Sequence, residues 1–228
     1  MTHTLSLKSI TPVTHDTYHL TFERPAQFEF APGQAVDMAL DRDNWRDSKH
    51  PFTMISLPGE TNLEFVIKTY PQEAEGHEGM TQRIAALSPG DKVLIEEPWG
   101  AIKDEGKGVF VAGGAGVTPF VSILRSRLAR EGTLEGSTLV FSNSTERDII
   151  LRKRKKKMPG LHCVFVVTDE PDSPLYREKI DQPLLSDLVT PGRDKCYVCG
   201  PDAMLDDMAE ALRAIGVAEE DIITEDFG

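Results

Sequence analysis

Val109-Phe110-Val111-Ala112-Gly113-Gly114-Ala115-Gly116-Val117-Thr118-Pro119 decides the fold class of this chain. Its unbroken apolar start reads as a strand buried on both faces, its glycines as a tight turn, and residues 119–130 as a helix. Strands buried on both faces belong to parallel sheets, in which each strand is followed by a crossover helix. Small residues let a backbone approach a ligand, and the helix start offers free N–H groups and partial positive charge to a pyrophosphate. Thr118 can cap that helix, and Pro119 suits its first position. A tight strand-to-helix turn with no ligand is an equal alternative, because the ordinary Rossmann fingerprint has Gly or Ala where Pro119 stands.

The alternation continues downstream. Leu139-Val140-Phe141 precedes a helix over 146–157, and Cys163-Val164-Phe165-Val166-Val167 precedes a helical region over 176–188. Cys196-Tyr197-Val198-Cys199 precedes a helix over 202–215, and Ile222-Ile223-Thr224 closes the pattern. The strand-ending turn Cys199-Gly200-Pro201 should face the same crevice as the glycine turn, because ligands of α/β sheets bind beyond the carboxyl ends of strands. Upstream the texture differs. Short runs such as Tyr18-His19-Leu20-Thr21-Phe22, Ala35-Val36-Asp37-Met38-Ala39-Leu40 and Leu63-Glu64-Phe65-Val66-Ile67 lie between Pro/Gly breaks. Such spacing predicts an antiparallel barrel or sandwich, interrupted by one short helix over 80–87. The boundary is placed in the charged, Gly-containing stretch near 103–108, giving domains 1–103 and 104–228.

Two small domains suit 228 residues. The net charge is −12, from 25 Lys+Arg against 37 Asp+Glu. Counted through Lys103 there are 9 basic and 15 acidic residues, and beyond it 16 and 22, so each part carries −6. No basic footprint for nucleic acid exists in either part. Three cysteines are too few for a disulfide framework. Cys196 and Cys199, three apart on a strand, point to opposite faces beyond disulfide range, and no second Cys pair completes a zinc site. The sequence shows neither a signal peptide nor an apolar run long enough to cross a membrane. The expectation is a soluble cytoplasmic protein in a reducing compartment, with no membrane insertion and no metal.

The glycine turn, the Cys-Gly-Pro turn and the β-rich first part together resemble the ferredoxin-NADP reductase superfamily, over nearly the whole chain and in the family's order. Phe30-x-Pro32-Gly33-Gln34 resembles the family's barrel strand-entry motif. His50-Pro51-Phe52-Thr53 is similar to its flavin motif Arg-x-Tyr-Ser/Thr, with His replacing Arg as in ferric reductases and NADPH oxidases. A neutral imidazole does not give the fixed bidentate clamp of a guanidinium. Phe65-Val66-Ile67-Lys68-Thr69-Tyr70, followed by Gly79-Met80-Thr81, is similar to the pyrophosphate-binding strand and helix of the cytochrome b reductase branch. The resemblance implies an FAD-binding antiparallel β-barrel followed by a Rossmann-like, parallel-sheet nicotinamide domain. The implied reaction passes hydride from NADH or NADPH to FAD and electrons to a separate acceptor: a ferredoxin, flavodoxin, haem protein, free flavin or ferric iron. An FAD-binding subunit or sensor module without turnover is the alternative.

The same resemblance implies roles for single residues. Thr53 offers a hydroxyl to the flavin N5 edge, Phe52 an aromatic face, and Lys68 a charge for phosphate. Thr53, Cys199 and Glu225 would stand at the contact of nicotinamide with flavin, and Phe227 would cover the flavin. Ser142-Asn143-Ser144-Thr145-Glu146-Arg147-Asp148-Ile149-Ile150-Leu151-Arg152 resembles the Asn-x-Thr-Glu-x-Asp-Ile-Leu-Leu-Arg segment of NADH-dependent cytochrome b reductases. There Asp148 would repel a 2′-phosphate, so NADH is preferred, while Arg147 keeps NADPH open. Thr145 and Asp148 equally form a capping box, a purely structural role. The run Arg152-Lys153-Arg154-Lys155-Lys156-Lys157 reads as a solvated helix end, or as a docking patch for an acidic electron carrier or the 2′-phosphate of NADPH. The net charge favours a small or less acidic acceptor.

Overall fold

A computed structural model describes residues 1–70, 79–150, 152 and 158–225. The first six strands are β1 His3–Pro12, β2 Thr17–Glu23, β3 Ala35–Leu40, β4 His50–Thr53, β5 Asn62–Lys68 and β6 Lys92–Ile95. They form one sheet in the order β4-β3-β6-β1-β2-β5, with antiparallel neighbours throughout. Past the end of β4, Met54 bridges Phe65 of β5, and the Ile55 N–H donates to the Glu64 carbonyl at 2.8 Å. The sheet therefore nearly closes, as a barrel rather than a sandwich. Alternate residues such as Leu5 and Leu7, Leu20 and Phe22, and Met38 and Leu40 fill its interior, capped by Met80 and Ile84 of α1 (Met80–Ala85).

The second part is a parallel sheet of β7 Gly108–Gly113, β8 Thr138–Asn143, β9 His162–Val167, β10 Lys195–Cys199 and β11 Ile222–Thr224, ordered β11-β10-β7-β8-β9. Alternation along β7 and β10 sorts their side chains between two layers. Phe110, Ala112, Tyr197 and Cys199 pack in one cluster with Phe120, Ile123 and Leu124 of α2 (Thr118–Glu131). Val109, Val111, Cys196 and Val198 pack with Leu185 of α3 (Gln182–Leu188) and with Met208 and Leu212 of α4 (Asp202–Ala214). The cysteines of the Cys-x-x-Cys run thus lie on opposite faces of the sheet, as free thiols.

Three local expectations are corrected. Of the helix expected over 146–157, the described residues 146–150 show a 3-10 turn, Glu146–Asp148, after which Ile149 is extended, and residue 151 lies outside the described residues. Ile149 and Ile150 are buried, packed into the α2-side cluster. Residues 153–157 of the basic run lie outside the described residues. The helix expected over 176–188 begins only at Gln182, because the Asp181 side chain caps it by accepting the Leu184 N–H at 3.0 Å. Upstream of that cap, Tyr176 bridges Val167 in parallel, adding to the edge of β9. Finally, Thr118 is already inside α2, and its hydroxyl donates back to the Ala115 carbonyl at 3.0 Å instead of capping.

Helix α2 joins the two parts. Ser122 Oγ accepts the Gly33 N–H at 2.9 Å, and Arg125 donates to the Ile55 carbonyl at 2.5 Å and to Glu60 Oε1 at 2.6 Å. Ile55, Val66 and Ile102 complete the seam by packing into the α2-side cluster. Arg127, only 1% exposed, binds Asp104, the Gly106 carbonyl at 2.5 Å and Ser137 Oγ at 3.0 Å, with its guanidinium 5.6 Å from the Phe110 ring centre. Burial alone would push Asp104 up, but hydrogen bonds from Arg127 and Arg130 hold its carboxyl below the usual range. Replacing Arg127 by Met removes the buried cation from Asp104, leaving it only the exposed Arg130, and leaves the Gly106 carbonyl only the Tyr197 hydroxyl at 2.9 Å. That substitution should cost about 3–5 kcal/mol in urea unfolding, far more than an exposed ion pair is worth.

Candidate functional site

At the junction of the two parts lies a cleft of about 780 Å³. From the barrel side it is lined by His50, Pro51, Phe52 and Thr53 of β4, by Ile67 and Lys68 of β5, and by Tyr70, Gly79, Met80 and Thr81. The α/β side supplies Gly113, Gly114, Gly116 and Thr118 of the glycine turn, Asn143 at the end of β8, and Cys199, Gly200 and Pro201. Residues quoted from six separate stretches of sequence are thus brought to one volume. Thr53 is buried and Phe52 half-buried, whereas His50 stands exposed. Tyr70 is 58% exposed, yet its backbone is fixed to α1, with its N–H on Thr81 Oγ1 at 3.4 Å and its carbonyl on Gln82 Nε2 at 3.0 Å.

The two turns meet backbone to backbone. A Cβ on Gly116 would lie 2.3 Å from the Cys199 carbonyl oxygen, and one on Gly113 would lie 2.6 Å from Met204 Sδ. These two glycines exist for the contact between turns. Gly114, by contrast, has φ +51° and nothing within 4 Å, so its face is open to the cleft. The glycine turn itself is a 3-10 turn, Gly114–Val117, leading straight into α2, and the first N–H groups of such a turn have no partner within it. The donor set offered to a ligand is therefore backbone amide rather than side-chain cation.

Asn143 is the sharpest sign of a missing partner. Its side chain is buried, it lines the cleft, and neither Nδ2 nor Oδ1 has a hydrogen-bond partner among the described residues. Buried amides are almost always satisfied, so this one marks where a polar ligand completes the site. Ser142, Ser144 and Thr168 line the same end, adding hydroxyls that sequence reasoning did not single out. Their signal was the place at which β8 and β9 stop, since crevice residues follow strand ends.

Other expected residues lie away from the cleft lining. Pro119 is buried in the first turn of α2. Arg147 is exposed, and the Asp148 carboxylate accepts the Thr145 N–H at 2.9 Å and the Thr145 hydroxyl at 2.6 Å. Of the two roles open to Asp148, the capping box is the one seen. Glu225 is buried against the inter-domain linker, with Oε1 accepting the Ala101 N–H at 2.5 Å and Oε2 unpartnered among the described residues. Phe227 lies outside the described residues. Burial raises the Glu225 carboxyl above its usual range against the opposing N–H bonds of Ala101 and Ile102. Burial, with Glu225 adding to it, pushes the Cys199 thiol up to about 12.

The family described as "Oxidoreductase FAD-binding domain" matches residues 4–103, and the one described as "Oxidoreductase NAD-binding domain" matches residues 110–210. The chain belongs to the ferredoxin-NADP reductase superfamily. It is 29% identical over 223 residues to NADH-cytochrome b5 reductase 2 of Mycosarcoma maydis, a match covering 86% of this chain and 61% of that protein. The reductase component of propane 2-monooxygenase from Rhodococcus jostii strain RHA1 is 28% identical over 236 residues, covering 96% of this chain and 61% of its own. The chain thus spans about three fifths of the length of these two superfamily relatives. Among solved structures, a ferredoxin NADP+ reductase from Neisseria gonorrhoeae with bound FAD and NADP superposes with a TM-score of 0.81 at 20% identity, over 98% of each chain. At that identity the likeness establishes the fold. Among the described residues, no helix is long and apolar enough to cross a membrane.

Three substitutions test this geometry. Gly116→Ala must push the Cys199 carbonyl away and should destabilise by about 1–3 kcal/mol in chemical unfolding while disrupting the cleft. Gly114→Ala meets no atom and should cost only the left-handed backbone penalty, about 1 kcal/mol. Glu225→Gln should raise the melting temperature near pH 8 and lose that gain as pH falls. A carboxyl with a raised folded pKa favours folding fully below its unfolded value, and that favour disappears as pH climbs through the folded one.

Proposed function

We propose that this chain is an FAD-dependent NAD(P)H oxidoreductase, with residues 1–103 as its flavin unit and 104–228 as its nicotinamide unit, passing electrons to a separate acceptor. The observation that carries the reading is the shared cleft, in which the β4 and β5 ends of the barrel face the glycine and Cys-Gly-Pro turns of the parallel sheet. Bound there, a flavin supplies the exchange between a two-electron hydride donor and one-electron acceptors. His50, Pro51, Phe52, Thr53, Ile67, Lys68, Tyr70, Gly79, Met80 and Thr81 would hold it. Gly113, Gly114, Gly116, Asn143, Cys199, Gly200 and Pro201 would hold the nicotinamide nucleotide.

Thr53 is buried at the barrel wall of the cleft, where its hydroxyl is suited to a hydrogen bond at the flavin edge. Cys199 stands on the opposite wall as a neutral thiol, a small apolar contact that excludes water from the reacting rings. Effective catalysis here is orientation, since hydride transfer needs close, aligned approach more than proton chemistry. Glu225 stabilises this wall from behind by fixing the C-terminal strand end to the linker at Ala101.

NADH is the favoured donor on a structural ground apart from Asp148. The Arg152 guanidinium, the first cation of the basic run, is held by Glu146 at 2.6 Å and lies over the Phe165 ring. Glu170 accepts the Glu146 N–H at 2.8 Å, so carboxylates surround the loop after β8. Arg147, exposed on the Glu146–Asp148 turn, keeps a 2′-phosphate open there, whereas the hydroxyls and the amide that line the cleft suit an unphosphorylated ribose. The acceptor is a small redox molecule or electron-carrier protein, of the kinds that the named relatives serve. The free thiols Cys196 and Cys199 suit a reducing cytoplasm.

Anaerobic mixing decides the reading. Protein reconstituted with FAD should be bleached by NADH, more slowly by NADPH, and reoxidised by ferricyanide with multiple turnovers. Absence of flavin binding, or binding without bleaching by either nucleotide, would overturn it, the latter in favour of a non-catalytic flavin module.

A further inference from the structure

The cation of the cleft is paired with an anion just outside the lining. Among the described lining residues, Lys68 is the one side chain with a permanent positive charge. It is not free: its Nζ lies 3.3 Å from Asp16 Oδ2, with both side chains about one-fifth exposed. Asp16 is in turn fixed. Its Oδ1 accepts the hydroxyls of Thr14 at 2.7 Å and Thr17 at 3.0 Å, and its carbonyl accepts both the N–H (2.7 Å) and the hydroxyl (2.9 Å) of Thr69, next to Lys68. Burial pushes the Asp16 carboxyl up, but Thr14 and Lys68 hold it below the usual range, so it stays charged at neutral pH. His15 is the other titratable group facing it, at 3.8 Å, and also approaches Asp148 at 3.5 Å.

We propose that Asp16 is a built-in competitor for Lys68, holding down the affinity of the cleft for the diphosphate of a dinucleotide. This rests on the function proposed above. A diphosphate drawn to Lys68 must share it with a carboxylate that cannot swing away, and it meets that carboxylate's negative charge across the ammonium. The fixed geometry argues against a mere steering role for Asp16. A group that only oriented Lys68 would need no lock of its own, whereas this carboxylate is held by two hydroxyls and its backbone by a third residue. An attenuated affinity suits a cleft that must release one nucleotide after each turnover.

The test is a cycle of wild type, Asp16→Asn, Lys68→Gln and the double variant. FAD and riboflavin are titrated by flavin fluorescence on apoprotein, and NAD+ and nicotinamide mononucleotide by flavin absorbance on FAD-loaded protein. Asn can still accept from Thr14 and Thr17, and riboflavin, which lacks the diphosphate, reports whether the site remains folded. Asp16→Asn should tighten FAD or NAD+ about tenfold, or 1.4 kcal/mol, leaving riboflavin and the mononucleotide unchanged. Lys68→Gln should erase the gain, and the arm that responds shows which dinucleotide lies at Lys68. Unchanged or weaker FAD and NAD+ binding by Asp16→Asn overturns the proposal, as does a gain that survives Lys68→Gln or extends equally to riboflavin. Failure of all four proteins to bind FAD overturns the function proposed above and this inference with it.

Discussion

The contact between Gly116 and the Cys199 carbonyl is the constraint from which the site follows. Two strand-to-helix turns from adjacent parallel strands can touch only if one lacks a side chain, and a Cβ here would lie 2.3 Å from a backbone oxygen. The contact brings the start of α2 and the start of α4 to one crevice. It also leaves Gly114 alone facing open space, so the division of labour within Gly113-Gly114-Ala115-Gly116 is steric: outer glycines for packing, the middle one for the cleft. A glycine-rich turn read from sequence does not separate these uses, because both demand the same residue.

Helix α2 then carries that crevice to the barrel. Its barrel-facing side mixes Ile123, near Gly33, with Ser122 and Arg125, each polar group satisfied by barrel backbone or by Glu60. Arg127 ties the linker to the same helix. Backbone carbonyls and amides of loops near a domain seam need partners, and here the helix supplies them. The barrel and the sheet are therefore positioned by directional bonds as well as by apolar packing, which is what a site divided between them requires.

Much of this was legible in the residues. Period-2 runs marked β2, β3 and β5, the unbroken apolar runs marked β7 and β9, and Pro/Gly breaks placed the turns. Nearly all the residues expected to hold a cofactor came to one cleft because strand ends and their following turns are local features. The failures have a common cause: local signals fit more than one tertiary outcome. Thr145-x-x-Asp148 signalled a helix start, and the start exists, but Ile149 leaves helical geometry, and Ile149 and Ile150 are drawn into the core. Thr118 has a capping side chain, yet the 3-10 turn before it moved the helix start upstream. Glu225 lies near Cys199, as the resemblance implied, but its carboxyl accepts the Ala101 N–H, a contact 124 positions away in sequence. Asp16 carried no motif at all, because its importance arises only when the β1–β2 turn meets the end of β5.

The net charge of −12 acquires a structural counterpart in the cleft. A protein that binds phosphate-bearing ligands against so negative a background would be expected to concentrate lysines and arginines at the site. The described lining instead holds one lysine, already paired, an exposed histidine, and Asp202 at the start of α4. Under the proposed function, recognition would fall to neutral groups: the amides of the glycine turn, the hydroxyls of Thr53, Ser142, Ser144 and Thr168, and the unpartnered amide of Asn143. Such donors and acceptors discriminate by geometry, since a buried group left unpaired costs about 1–3 kcal/mol whatever the ionic strength. Specificity built this way depends on keeping both walls of the cleft in register, which returns the burden to the close contact of the two turns and to the polar seam along α2.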